Sequence, residues 1–322
     1  MTKIMVTGAA GQIGTELIKV LRQTHGTENV LATDIQAPAN PDISESGPFE
    51  FLDVTQKKKI EDVVEKHGIK MIYHMAAILS ATGEKKPQLA WDVNINGTYN
   101  ILESAREHHA ARVFIPSSIA AFGPETPQKN TPQETILRPK TMYGVTKVAG
   151  ELLGNYYVEH FGLDVRGCRL PGIISHETLP GGGTTDYAVA IFFEAVKSRR
   201  YKCFLKKDTR LPMMYMPDCL KAILDLMNAD FSRLKHHADF NVTGMSFTPG
   251  ELADEIKKHI PEFVCDYEPD FRQEIAESWP MTIDDSAARA EWGWKPEYNL
   301  AAMAQDMLSV LSVRWAEGRL GY

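Results

Sequence analysis

A glycine-spaced turn between a strand-like run and a helical run constrains this chain more than any other feature. Gly8-Ala9-Ala10-Gly11-Gln12-Ile13-Gly14 follows the apolar run Lys3–Thr7. It opens a segment in which Ile13, Leu17, Val20 and Leu21 share one helical face. Glycines at such a turn permit backbone conformations closed to other residues and let the main chain approach a ligand closely. The helix that follows offers unpaired N–H groups and the positive end of its dipole to an anion. The spacing is G-x-x-G-x-x-G rather than G-x-G-x-x-G, so the triplet alone also reads as a plain strand–helix turn. Asp34 sharpens the reading. It lies 20 residues after Gly14, closing the next strand-like run, Val30–Thr33. A carboxylate there accepts hydrogen bonds from the ribose hydroxyls of an adenosine. The two features predict a dinucleotide site, with the pyrophosphate on Gly8, Gly11, Gln12, Ile13 and Gly14 and the ribose on Asp34. An acid at that point repels a 2′-phosphate, and no Arg follows within several residues. NAD is therefore expected rather than NADP.

The same alternation continues. Glu50–Leu52, Met71–His74, Arg112–Pro116 and Asp164–Arg169 read as strands. Helical periodicity fills the intervals, with Ile60, Val63 and Val64 on one face and long segments over Gln88–His108 and Tyr143–Phe161. Strands alternating with helices of this length imply an α/β fold, a Rossmann-type doubly wound parallel sheet. Ligands of such sheets bind at the strands' carboxyl ends. Asp53 and Val54, after the third strand, are therefore expected to flank the adenine. Ala76, Ala77 and Ile78, after the fourth, are expected to let the cofactor pass, although for Ala76 alone core packing is the stronger reading. After Pro171 the pattern changes to a glycine-rich loop, Leu179–Thr185, and a helix over Asp186–Ser198 that Asp186 is expected to cap, pairing with a substrate ammonium being its alternative role. Thr248-Pro249-Gly250-Glu251 reads as a capping box, and Asp284-Asp285-Ser286 opens another helix. Residues 1–172 are expected to form the dinucleotide-binding domain, and 173–322 a smaller C-terminal domain that mainly binds substrate.

Composition excludes several alternatives. Thirty-five basic against 42 acidic residues give a formal charge of −7 over 322 residues, which argues against a nucleic-acid or membrane-surface binder. No apolar stretch approaches a membrane span, and the N-terminal residues carry no signal or transit pattern. The four cysteines are scattered without a CxxC pair, which suits a reducing compartment and no metal site.

Tyr143 and Lys147 are four residues apart, so on a helix they share a face. An ammonium fixed beside a phenol favours the phenolate and is expected to bring its pKa down from about 10 toward the working range. Tyr143 then serves as general base for an alcohol. A hydroxyl must orient the substrate oxygen, and Pro116-Ser117-Ser118 at the end of the fifth strand supplies one. Ser118 is the preferred candidate and Ser117 the competitor. Asn94, unfavourable inside a helix, is expected to support Lys147 through water or to bind backbone.

GAAGQIG, Asp34, Ser118, Tyr143 and Lys147 together resemble the extended short-chain dehydrogenase/reductase superfamily, close to UDP-galactose 4-epimerases. The ending Trp292-Gly293-Trp294-Lys295-Pro296 is similar to that family's as well. A narrower similarity, to the short-chain L-threonine 3-dehydrogenases, comes from Leu179–Ala188, from Ala76-Ala77-Ile78-Leu79-Ser80 and from Pro116–Gly123. That family often has Thr where Ser118 stands, a change that conserves the hydroxyl. The resemblance implies NAD-dependent oxidation of L-threonine at C3 to 2-amino-3-oxobutanoate, with Tyr143, Lys147 and Ser118 catalytic. It further implies that Ser80, Thr184 and Thr185 hold the amino acid, that Ile173 packs on the nicotinamide, and that segments of the second half return to the first. A homodimer and functional coupling to a 2-amino-3-oxobutanoate CoA ligase are also implied. The compartment would be cytoplasmic in a bacterium and mitochondrial in a eukaryote. An NDP-sugar 4-epimerase is the competing enzyme, and a non-catalytic NAD(H) sensor the competing class; a sensor has no need of both Tyr143 and Lys147.

Overall fold

The computed structural model describes residues 2–38, 41–177, 179 and 181–320, with Pro41 and Asp42 in backbone only. Pro180 of the glycine-rich motif lies outside the described residues. The strands are β1 (Ile4–Thr7), β2 (Val30–Asp34), β3 (Phe49–Phe51), β4 (Met71–His74), β5 (Arg112–Phe114), β6 (Ser117–Ser118), β7 (Asp164–Arg166), β8 (Cys168–Leu170) and β9 (Gly172–Ile174). They are followed by β10 (Arg200–Cys203), β11 (Leu211–Tyr215), β12 (Phe240–Asn241), β13 (Met245–Phe247) and β14 (Val264–Tyr267).

Six strands form a parallel sheet in the order β3-β2-β1-β4-β5-β7. Its inner strands are apolar on both faces, as a sheet covered by helices on each side requires. Ile4 and Val6 face one buried layer with Leu17, Ile18 and Leu21. Met5 faces the other with Ile60, Val64, Ile101 and Leu102. The fifth expected strand stops at Phe114, with a short strand resuming at Ser117, and the sixth is broken in two at Gly167. Pro116 has no N–H to give the ladder, and a Cβ on Gly167 would lie 2.3 Å from the Ile115 carbonyl oxygen, so the backbones cross there too closely for a side chain. Pairing resumes beyond the break, β6 with β8 and β8 with β12, all parallel.

The segment expected as one helix over Gln88–His108 is Pro87–Trp91, a wide π turn over Asp92–Asn96, and Gly97–Glu107. The π turn swings Asn94 out of the helical pattern, a type of irregularity often found at functional sites. The helix Met142–Phe161 is capped by Thr141, whose hydroxyl accepts the Gly144 N–H at 3.0 Å, and ends at Gly162 with φ +64°. The Thr248/Glu251 capping box forms as expected, with bonds of 3.1 and 2.9 Å.

Beyond Pro171, β9 pairs parallel with β11, and β11 pairs antiparallel with β13. Downstream segments also lie on the first sheet. β12 pairs with β8 in the three-stranded sheet β12-β8-β6, and Leu220, Ile223 and Leu226 of the helix Met216–Asn228 pack with Leu17, Ile18 and Leu21 of the helix Gln12–His25. Each such buried aliphatic side chain contributes about 1.5–3 kcal/mol. No helix among the described residues is long and apolar enough to cross a membrane.

Candidate active site

The carboxyl ends of β1, β4 and β6 and the start of β9 border an open cleft. Two glycines of the first turn are required by close approach. Gly8 has φ +66°, and a Cβ on it would stand 2.5 Å from the Ala76 backbone nitrogen; a Cβ on Gly14 would stand 2.2 Å from the Gly8 carbonyl oxygen. The helix Gln12–His25 begins at Gly11 with no side-chain cap and no acid in its first turn. Its leading N–H groups are thus left to an anion. Gly8, Gly11, Gln12, Ile13 and Gly14 all line the cleft. An uncapped helix start, a glycine cradle and the absence of acid suit the pyrophosphate of a dinucleotide.

Ala77, Ser80, Ser118, Tyr143, Lys147, Ile173, Thr184 and Thr185 also line this cleft, so the expected catalytic and substrate groups meet the expected phosphate loop. Ser80 and Thr184, both buried, join through their hydroxyls at 3.1 Å across 104 positions of chain. The lining does not include Asp34, Asp53, Val54, Ala76 or Ile78. Asp34 closes β2 beside the glycine turn and accepts the Ala10 and Gln36 N–H groups at 2.9 and 3.2 Å. Asp53 is turned to its own loop, accepting from the Thr55 amide at 2.9 Å and the Thr55 hydroxyl at 2.8 Å. Val54 is core, and its carbonyl accepts from Asn100 at 3.0 Å. Ala76 packs against the same core layer, as the simpler reading of it held. The Ile78 amide donates to Asn94 Oδ1 at 2.8 Å and its carbonyl accepts from Asn94 Nδ2 at 3.0 Å. Asn94 thus binds backbone, and it also donates to the Thr146 hydroxyl at 3.0 Å, next to Lys147.

Two expectations need correction. The Lys147 ammonium does not bring the Tyr143 phenol down. Burial pushes that phenol up to about 12, against the opposing pull of a hydrogen bond with the Ser118 side chain. The reason is geometric: Lys147 Nζ donates to the Pro116 carbonyl at 2.7 Å and lies 5.3 Å from the centroid of the Tyr143 ring, over its face. Burial also drops the ammonium itself to about 8, although the Glu151 carboxylate works the other way. Second, Asp186 does not cap the helix Tyr187–Lys197. Its carboxylate turns back and accepts the Gly182 and Gly183 N–H groups, both at 2.8 Å, tying down the glycine-rich loop.

The structure also separates the two serines. The Ser118 hydroxyl accepts the Ala120 N–H at 3.2 Å and stands toward Tyr143, whereas Ser117 donates to the buried carboxylate of Glu151. Trp279 is one wall of the cleft. No local pattern pointed to it, because its approach depends on how the C-terminal half folds back.

Fold and site together define a Rossmann-type dinucleotide-dependent enzyme of the extended short-chain dehydrogenase/reductase kind. Residues 4–243 match the NAD dependent epimerase/dehydratase family, and the chain belongs to it. An uncharacterized epimerase/dehydratase of Staphylococcus haemolyticus is 52% identical over 312 residues, covering 97% of this chain and 98% of its own. The structure of L-threonine dehydrogenase from Clostridium difficile superposes with a TM-score of 0.95 at 51% identity, covering 100% of this chain and 99% of that one. A monomeric L-threonine 3-dehydrogenase from a metagenome gives 0.93 at 46%, covering 96% and 99%.

Proposed function

We propose that this protein oxidises L-threonine at C3 to 2-amino-3-oxobutanoate with NAD⁺. The carrying observation is that one cleft joins an uncapped phosphate loop to Tyr143, Lys147 and Ser118, with the Ser80–Thr184 pair and the glycine loop also lining it. The likeness to L-threonine dehydrogenases at about half identity over nearly the whole chain supports the same reading. Gly8, Gly11, Gln12, Ile13 and Gly14 would hold the pyrophosphate, Asp34 the adenosine ribose, and Ile173 the nicotinamide. Asp53, Val54, Ala76, Ala77 and Ile78 would border the cofactor along the sheet edge. When bound, NAD⁺ supplies the hydride acceptor for C3.

Tyr143 takes the 3-hydroxyl proton in this reading, and Ser118 orients that hydroxyl and donates to the oxygen as charge develops on it. Lys147 holds its ammonium over the face of the phenol ring, anchored to the Pro116 carbonyl. Ser80, Thr184 and Thr185 hold the amino-acid headgroup under the glycine loop. The β-keto acid product loses CO₂ unless a CoA ligase captures it. Exposed Leu89, Trp91, Tyr99, Leu152, Tyr156 and Phe161 on neighbouring helices support a homodimer, and sedimentation analysis decides between that and a monomer. The deciding assay for the reaction is NADH formation at 340 nm with L-threonine, L-serine and L-allo-threonine, and with NADP⁺ in place of NAD⁺. Epimerisation of UDP-sugars without net NADH formation would overturn the reading in favour of an NDP-sugar epimerase; NAD(H) binding without turnover of any substrate would favour a sensor.

A further inference from the structure

Beneath the cleft lies a buried ionic cluster that the reaction as proposed does not use. Glu151 is four residues after Lys147 on the helix Met142–Phe161, which places both on one helical face. Its side chain and that of Arg169 are each only 3% exposed, and they meet in a two-pronged pair, Nε to Oε1 and Nη2 to Oε2, both at 2.9 Å. Ser117 donates its hydroxyl to the same Glu151 Oε1. Arg169 spends its other nitrogen on the Gln133 carbonyl at 3.0 Å and on Asn241 Oδ1 at 3.1 Å. A buried ion pair is weak evidence for stability, since well-packed apolar residues often serve as well or better. Its position is more telling. Ser117 stands between Pro116, whose carbonyl receives the Lys147 ammonium, and Ser118 in the cleft. One carboxylate therefore touches both the strand end that carries Pro116 and Ser118 and, four residues along, the helix that carries Tyr143 and Lys147.

We propose that Glu151, clamped by Arg169 and Ser117, is a positioning residue that locks the Tyr143–Lys147 helix to the Pro116–Ser118 strand end and keeps the Lys147 ammonium charged. Among the described residues, these titratable and charged groups stand around Lys147. They are Tyr143 and Glu151 on its own helix, and His74 from β4, which burial and the nearby Lys147 charge hold down at about 3 and so neutral. Behind Glu151 stand Arg169 and Asp239. Among these, Glu151 is the group that favours the charged form of Lys147, opposing the effect of burial. The inference rests on the proposed roles of Tyr143 and Lys147, and does not depend on which alcohol is oxidised.

The test compares wild type with Glu151→Gln and with the paired Glu151→Met/Arg169→Met, which removes both charges and avoids leaving Arg169 buried alone. The Lys147 titration is followed by ¹³Cε NMR of lysine-labelled protein, the resonance being assigned by its loss in Lys147→Met. In Glu151→Gln, Lys147 should titrate lower than in wild type by at least about half a pH unit; in the paired variant, which loses a charge of each sign, the shift should have the same direction and be smaller. The limb on which kcat falls as Lys147 loses its charge should move down with it. A purely structural role would lower kcat or stability while leaving both midpoints in place, and that result overturns the proposal. Loss of folding in both variants also overturns it, by marking the pair as structural. The NMR readout needs no substrate. A wild type inactive on L-threonine therefore refutes the substrate assignment while the Glu151 proposal still stands or falls on Lys147.

Discussion

Replacing Lys147 by Met should remove activity and, near neutral pH, leave the fold as stable as before or more so. Lys147 is 9% exposed, and burial lowers its pKa from 10.5 to about 8. Each pH unit corresponds to about 1.4 kcal/mol, so the folded protein carries a cost of about 3 kcal/mol for keeping this proton. Because the folded value lies below the unfolded one, the cost is complete below about pH 8. It fades as pH rises toward 10.5, above which the group is neutral in both states. Met, of similar length and no charge, escapes that cost. It gives up the 2.7 Å bond to the Pro116 carbonyl and leaves that oxygen without this donor, a loss of about 1–3 kcal/mol. Near pH 7 the two terms nearly cancel or favour the variant by up to about 2 kcal/mol. By pH 10.5 only the loss remains, so the stability of the variant relative to wild type should fall by about 3 kcal/mol across the range. Urea unfolding of both proteins at four pH values between 7 and 10.5 measures this difference, and other titrating groups cancel in it. Parallel stability profiles for the two proteins would refute the claim that this ammonium is held against its preference. Turnover should drop by about 10²-fold or more; a variant with near-normal turnover would remove Lys147 from the chemistry.

Tyr143→Phe should lose about 10²–10⁴-fold in turnover with NADH affinity preserved, measured by quenching of protein fluorescence; retained turnover would sink the general-base role. Asp34→Ala should weaken the preference for NAD⁺ over NADP⁺, read as the ratio of the two kcat/KM values, and an unchanged ratio would mean that another group reads the ribose. Asp186→Asn removes the charge that accepts the Gly182 and Gly183 N–H groups, and should raise KM for L-threonine about tenfold, as a loss near 1.4 kcal/mol would, with NAD⁺ affinity unchanged. An equal loss of both affinities would show that the loop serves the whole cleft.

The alternation of short apolar runs with helical periodicity is a local property, and it was enough to define the parallel sheet and its helices. The glycine turn was legible for the same reason, since a strand, a turn and a helix start are neighbours in sequence. Tyr143 and Lys147 fall on one helical face by spacing alone. Where local rules met backbone crowding they faltered: β5 stops two residues short of the expected Pro116, the strand expected over Asp164–Arg169 breaks at Gly167, and Asn94 sits in a π turn inside an expected helix.

Tertiary structure decided what no spacing encodes. Asp186 was read as a helix cap because capping is its usual local use, yet its carboxylate turns back to the glycine loop. The Tyr143 phenol was expected to be lowered by a neighbouring charge, but the depth of burial and the direction in which Lys147 points, toward Pro116, set the opposite sign. Trp279 reaches the cleft, and Arg169 reaches Glu151, only once segments far apart in the chain are packed together. Local sequence specifies which backbone conformations and hydrogen bonds are cheap over a few residues. Burial and long-range contact determine how much a charge costs and which side chain it faces, and those quantities exist only in the folded chain.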